Sequence, residues 1–229
     1  MDSYTKALLH MNGADASTTF IDDSGKTWTA AADAQIDTAQ SVFGGASGLF
    51  DGTGDYISTP THVDFAVGAG DWTVDFWMRP AADGGTYWLM GEYDGSTPAS
   101  RGLEITKSET NKIGMNVWWG AGGDDNTGLS STIDVLAGSF SHVAFVRYGN
   151  TLTVYVGGTA CGTADLTGKT VNDSSDTMAI GALGAVYSTS RYAGWIDEFR
   201  YSKGIARWTA NFTPPTSAYG GGGLMLFSS

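Results

Sequence analysis

Ser141-His142-Val143-Ala144-Phe145-Val146-Arg147-Tyr148-Gly149-Asn150-Thr151-Leu152-Thr153-Val154-Tyr155-Val156 is the stretch that decides the fold class. Two runs rich in β-branched and aromatic residues flank Tyr148-Gly149-Asn150, whose Gly and Asn tolerate positive φ, so the runs are expected to pair as a hairpin. Outward from this hairpin, short period-two segments recur between clusters of Gly, Asp, Asn and Ser. They predict strands at Lys6–Met11, Ser47–Phe50, Asp55–Thr59, Trp72–Arg79, Tyr87–Gly91, Gly102–Thr106, Lys112–Trp119, Ser141–Arg147, Thr151–Val156, Met178–Ile180, Tyr192–Tyr201 and Leu224–Phe227. Lys6–Met11 and Leu224–Phe227 are expected side by side, closing an edge. Gly120–Ser131 reads as a long polar loop, and Gly204–Trp208 as the one helical turn. The expected fold is therefore all-β, a two-sheet antiparallel jelly-roll sandwich forming one domain over residues 1–229.

Composition agrees with that class. Thirty-three Gly against 5 Pro suit many tight turns, and 8 Trp, 10 Tyr and 10 Phe can fill a two-sheet core. The net charge of −12 and the scattered basic residues argue against nucleic acid as a partner. Of the 24 acidic residues only Glu92, Glu104, Glu109 and Glu198 are Glu; the Asp excess suits turns and hard-cation sites. Cys161 is the only cysteine, so no intrachain disulfide forms, and it reads as a small buried side chain. Met1-Asp2-Ser3-Tyr4 leads almost directly into a strand, so neither a secretion signal nor membrane insertion is expected.

Several blocks together resemble a known family. Leu8-Leu9-His10-Met11-Asn12-Gly13 and Ser47-Gly48-Leu49-Phe50-Asp51-Gly52-Thr53-Gly54-Asp55-Tyr56-Ile57 resemble the opening of laminin-G-like, concanavalin A-like domains. Trp72–Arg79, the hairpin through Gly158, and Gly194-Trp195-Ile196-Asp197-Glu198-Phe199-Arg200-Tyr201 extend the resemblance to nearly the whole chain. The closing stretch Ser202–Pro215 is similar to the variant found in bacteriophage structural and tail-associated proteins. That resemblance implies a virion component, homo-oligomeric or particle-bound, with other virion proteins or host-surface glycans as partners; without a secretion signal it is expected to be made in the host cytoplasm.

The same resemblance implies a structural calcium ion between the N-terminal strand, an early glycine-rich turn and an aspartate of the penultimate strand. Carried onto this sequence, its candidate ligands are Asp197 through side chain and backbone, the Asn12 region, and the backbone or side chain near Gly48 or Asp55. By alternation, Asp197 shares a side with Trp195, Phe199 and Tyr201, and a carboxylate there needs a partner. A calcium ion with oxygen ligands would be one; backbone amides or an Arg would be another, with Asp51 and Asp55 capping turns. His10, His62 and His142 are far apart and lack Cys neighbours, so zinc spacing is missing.

Catalysis is not expected. Glycoside hydrolases of this jelly roll need two carboxylates across the bond, in a pattern resembling Glu-x-Asp-x-x-Glu. Trp72–Arg79 offers only Asp75, while Glu104 and Glu109 would face opposite sides of a strand. No Gly-x-Ser-x-Gly elbow precedes a helix, and His142 reads as structural. For sugar binding the candidates are Asp75, Trp77 and Arg79, outward if Trp72, Val74, Phe76 and Met78 face the core, together with Asn116 and Trp118. Against that platform stands coverage of Trp77 and Trp118 by a loop, the second sheet or another subunit. Two readings follow: a virion structural or decoration protein with a lectin-like fold, and a dedicated carbohydrate-binding adhesion module of a tail or cell surface.

Overall fold

The computed structural model describes residues 1–93, 101–120, 125–185 and 189–220. Two antiparallel sheets stack into a sandwich, and no helix occurs among the described residues. The first sheet holds β1 (Thr5–Leu9), β3 (Gln35–Asp37), β4 (Ser47–Asp51), β6 (Trp72–Pro80), β11 (Ser141–Tyr148), β12 (Thr151–Val156), β13 (Thr159–Asp165) and β15 (Ala193–Lys203), in the order β13-β12-β11-β6-β15-β4-β3 with β1 also on β15. The second holds β2 (Thr29–Ala31), β5 (Tyr56–Thr59), β7 (Tyr87–Glu92), β8 (Leu103–Lys107), β9 (Lys112–Trp119), β10 (Asp125–Asp134) and β14 (Met178–Ile180), in the order β10-β9-β8-β7-β14-β5-β2. This is the concanavalin A-like jelly roll.

The expected hairpin forms: Tyr148 pairs with Thr151 across Gly149-Asn150, with Gly149 at φ +57°. Alternation places Trp72, Val74, Phe76 and Met78 of β6 and Ile113, Met115 and Val117 of β9 in the core, facing each other between the sheets. The second faces of the same strands look outward and carry Asp75, Trp77 and Arg79 on one sheet, Gly114, Asn116 and Trp118 on the other.

The structure corrects several expectations. Asp125–Asp134 is not loop but an edge strand, paired from Asp125↔Trp119 to Ser130↔Gly114, with Leu129 and Ser131 turned inward. β2, β3 and β13 are strands that the turn-rich reading passed over. Gly204–Trp208 forms no helical turn; it crosses the first sheet's outer face, where the Thr73 hydroxyl donates to the Ile205 carbonyl (3.1 Å) and accepts from Arg207 N–H (3.0 Å). β1 is paired with β15; Leu224–Phe227 lies outside the described residues.

β15 also departs from simple alternation. Its first half pairs with β4 and its second with β1, and between Asp197 and Arg200 the register slips. Glu198 absorbs the slip at φ +51°, a left-handed conformation costly for a non-glycine residue. Asp197 therefore lies opposite Trp77, on the outer face with Trp195, while Phe199 and Tyr201 face the core. The expected common side of Asp197, Phe199 and Tyr201 is lost to this bulge.

Candidate functional site

The sequence candidates fall on two different faces. On the first sheet's outer face, Asp75 is fully buried and receives a two-pronged bond from Arg200 (Nε to Oδ1 3.0 Å, Nη2 to Oδ2 2.9 Å). Burial by itself would raise its pKa, but the Arg200 guanidinium and His142 hold the carboxyl well below the usual range. His142 Nε2 lies 2.9 Å from the Tyr219 hydroxyl, and the Arg200 guanidinium covers the Tyr219 ring at 4.0 Å. Tyr219 N–H donates to Glu198 (2.7 Å), whose other oxygen meets His10 Nδ1 at 2.8 Å.

The segment after β15 closes this face. Trp208 and Phe212 stack at 4.0 Å and pack over Ala144, Val146 and Tyr155. Phe212 and Gly158 are joined by a backbone bond of 2.9 Å, at a spot where any Cβ on Gly158 would strike the Phe212 carbonyl. Trp77 is edge-on to His142 at 5.2 Å and Phe43 at 6.1 Å, and Arg79 bonds to Gln40 and lies over the Trp195 ring at 5.4 Å. Asp75, Trp77 and Arg79 thus belong to a covered face, not to an open sugar platform.

The calcium candidates are divided as well. Asp197 Oδ2 accepts from Val42 N–H (2.7 Å) and Phe43 N–H (3.2 Å), while Oδ1 is buried without a partner. Burial pushes this carboxyl up to about 6 despite those two amides. Asn12 abuts the same turn, since a Cβ on Gly44 would collide with its side chain. Asp55 serves another turn, accepting from Asp33 N–H (2.8 Å) and Asp51 N–H (2.9 Å). Among the described residues no group of three or more His, Cys, Asp or Glu has metal-holding spacing.

The second sheet's outer face differs. Asn116 and Trp118 stand there with Glu104, which pairs across strands with Asn116, and with Arg101. The Arg101 guanidinium lies between the rings of Tyr93 (4.0 Å) and Trp118 (4.2 Å), its Nε 3.5 Å from Glu104. Glu104 is only 1 % exposed, yet neither oxygen has a hydrogen-bond partner; the same holds for Arg101 Nε and the Trp118 indole N–H. Burial raises the Glu104 pKa; Trp118, Arg101 and Asn116 lie close enough to ease that rise without reaching hydrogen-bond geometry. Beside this group a depression of about 320 Å³ runs over Gly114 and Gly128, with Thr106, Asn116, Ser130 and Lys112 around it. The two glycines line its floor, and at Gly114 a Cβ would meet the Leu129 carbonyl at 2.8 Å. Sequence reasoning named Asn116 and Trp118 but missed Glu104 and Arg101 as site residues. The alternation of Leu103, Glu104 and Ile105 was the available signal, since it points Glu104 outward.

Residues 51–205 match the family model described as the concanavalin A-like lectin/glucanases superfamily. None of the curated proteins searched matches the sequence. Among solved structures, the chain is similar to the binding domain of Paraclostridial Mosquitocidal Protein 1 (TM-score 0.68, 13 % identity, covering 88 % of this chain and 49 % of that one). It is also similar to the receptor binding domain of a botulinum neurotoxin C/D mosaic serotype (TM-score 0.65, 12 % identity, 90 % and 49 %). A third is the ligand binding domain of botulinum neurotoxin serotype D in complex with N-acetylneuraminic acid (TM-score 0.62, 13 % identity, 89 % and 48 %). The chain spans about half the length of each of these domains, and identities this low establish a shared fold alone. With the family model matching residues 51–205 of 229, this protein belongs to the concanavalin A-like lectin/glucanase superfamily.

Proposed function

We propose that the protein recognises carbohydrate without turning it over, through the outer face of the seven-stranded sheet around Asn116, Trp118, Glu104 and Arg101. The observation that carries this reading is the group of buried, unpartnered polar atoms beside an open hollow: Glu104 Oε1 and Oε2, Arg101 Nε and Trp118 Nε1. Unmade hydrogen bonds of this kind are costly, and a polar ligand is what satisfies them. Support for a binding module over an enzyme comes from Asp75, the one carboxylate of β6, being engaged by Arg200, and from the structural relatives being binding domains. A glycan array with the full chain tests the reading: specific binding weakened by Trp118→Ala is expected, while cleavage of a polysaccharide that a single carboxylate substitution abolishes would defeat it.

Calcium is kept as a proposal for Asp197. Its free, buried Oδ1 fits a hard cation, with Asn12, which abuts the same turn, as a further oxygen; Asp55, which serves another turn, is left out. Calcium should then raise the melting temperature of metal-free protein, and Asp197→Ala should remove the rise. The virion setting rests on the resemblance of Ser202–Pro215 to phage structural proteins. Assembly into particles or oligomers would be read as incorporation lost on changing the exposed surface, with sugar binding undetectable.

A further inference from the structure

The charge layout of the proposed carbohydrate face restricts the class of sugar it takes. Both cations bordering it are already matched. Arg101 has Glu104 at 3.5 Å and two aromatic rings around its guanidinium. Lys112, at the other end of the hollow, has Asp134 at 2.5 Å and donates to the Thr132 carbonyl at 2.7 Å. Among the described residues both cations bordering the hollow are thus already ion-paired, and the chain as a whole carries −12. The Glu104 carboxylate shares that ion pair but is buried and accepts no hydrogen bond.

Access runs through Asn116, which lines the hollow and stands directly across from Glu104 on the same face. A hydroxyl seated beside Asn116 is a neighbour of the Glu104 carboxylate. A carboxylate accepts from two adjacent hydroxyls, the Trp118 indole N–H donates to a sugar oxygen, and Thr106 and Ser130 offer hydroxyls. A sialate, uronate or sulfate brought here would set a second anion against Glu104 in a poorly solvated place.

We infer that this face, on the carbohydrate reading above, selects uncharged glycans with adjacent hydroxyls and rejects acidic ones, with Glu104 as the specificity-determining acceptor. N-acetylneuraminic acid, held by one structural relative, is accordingly not its ligand.

The test is titration of the full chain, wild type and Glu104→Gln, against neutral and acidic oligosaccharides chosen from the array, at low salt and at about 0.5 M salt. Neutral glycans should bind, with affinity indifferent to salt, and Glu104→Gln should weaken them at least about ten-fold, the loss of a charge-assisted acceptor. Binding confined to acidic glycans and lost in salt would overturn the inference while leaving the carbohydrate reading standing. Binding to no glycan would overturn the reading and the inference together. Should Glu104→Gln fail to fold, Trp118→Phe keeps a ring and removes the indole donor: several-fold weaker neutral binding is expected, and unchanged affinity would overturn the assignment.

Discussion

The two outer faces of this sandwich are built from the same alternating strands and end in opposite states. On the eight-stranded sheet, Asp75 is bonded by Arg200, Tyr219 and His142 complete a network above it, and Trp208 and Phe212 lie over the apolar remainder. On the seven-stranded sheet, Glu104 is equally buried, but its oxygens and the nearby Trp118 N–H lack partners, and glycines line a hollow beside them. Both faces keep some buried polar atoms without partners, Trp77 Nε1, Arg79 Nε and Asp197 Oδ1 among them on the first, but only on the first is the central carboxylate bonded on both oxygens and covered by a strap. The difference teaches that an outward-facing carboxylate becomes structural or functional according to what the rest of the chain brings to it.

The strongest way to break this comparison is Arg200→Ala. It leaves the Asp75 carboxylate buried without its cation, and urea unfolding should show a loss of about 3–5 kcal/mol. A loss below about 1 kcal/mol would mean that the network does not hold the covered face.

Two buried carboxyls, Asp75 on the first sheet and Glu92 on the second, shift in opposite directions. Asp75, with its pKa lowered, contributes stability that is present above its unfolded value of 3.8 and is lost as pH falls below it. Glu92, at the end of β7, is pushed by burial and by Asp173 and Asp176 from 4.5 up to about 8. Its native form keeps a proton that the unfolded chain releases, so stability should fall as pH rises from 4.5 to about 8. The slope is at most about 1.4 kcal/mol per pH unit, and Glu92→Gln should flatten it. Denaturant midpoints across that range that rise with pH, or a slope that Glu92→Gln leaves unchanged, would contradict the assignment; Asp197, raised to about 6, leaves a smaller residual slope below that pH.

Phe212→Ala removes half of a stacked pair that is only partly buried, so a smaller loss of about 1–2 kcal/mol is expected. It should leave glycan binding unchanged, which sharpens the separation of the faces. The smallest effect is that of Asn116→Ala. It should weaken neutral-glycan binding by roughly two- to ten-fold, the range for one uncharged hydrogen bond, and shift thermal unfolding little. A large stability loss there would reassign Asn116 to structure.

Much of the fold was legible because a strand's periodicity is local. The β11–β12 hairpin, the inward rows of β6 and β9, and most strand positions follow from alternation and turn chemistry alone. The polar edge strand β10 was read as loop because Gly, Asp, Asn and Ser are turn formers, although an edge exposed to water tolerates the same residues. The bulge at Glu198 left no mark in the pattern, since one residue at positive φ reverses the facing of everything after it.

By itself, then, the sequence determined a two-sheet all-β sandwich and, on regular strands such as β6 and β9, which side chains point away from its core. Only the tertiary structure decided what each of those side chains meets there. Arg200 reaches Asp75 from 125 positions away in the chain, and the strap carrying Tyr219 lies on His142 from 77 positions away. No comparable segment among the described residues satisfies Glu104. Alternation specifies a direction relative to one strand, whereas cover and hydrogen-bond partners come from contacts remote in sequence, and these set one face as scaffold and the other as the proposed binding surface.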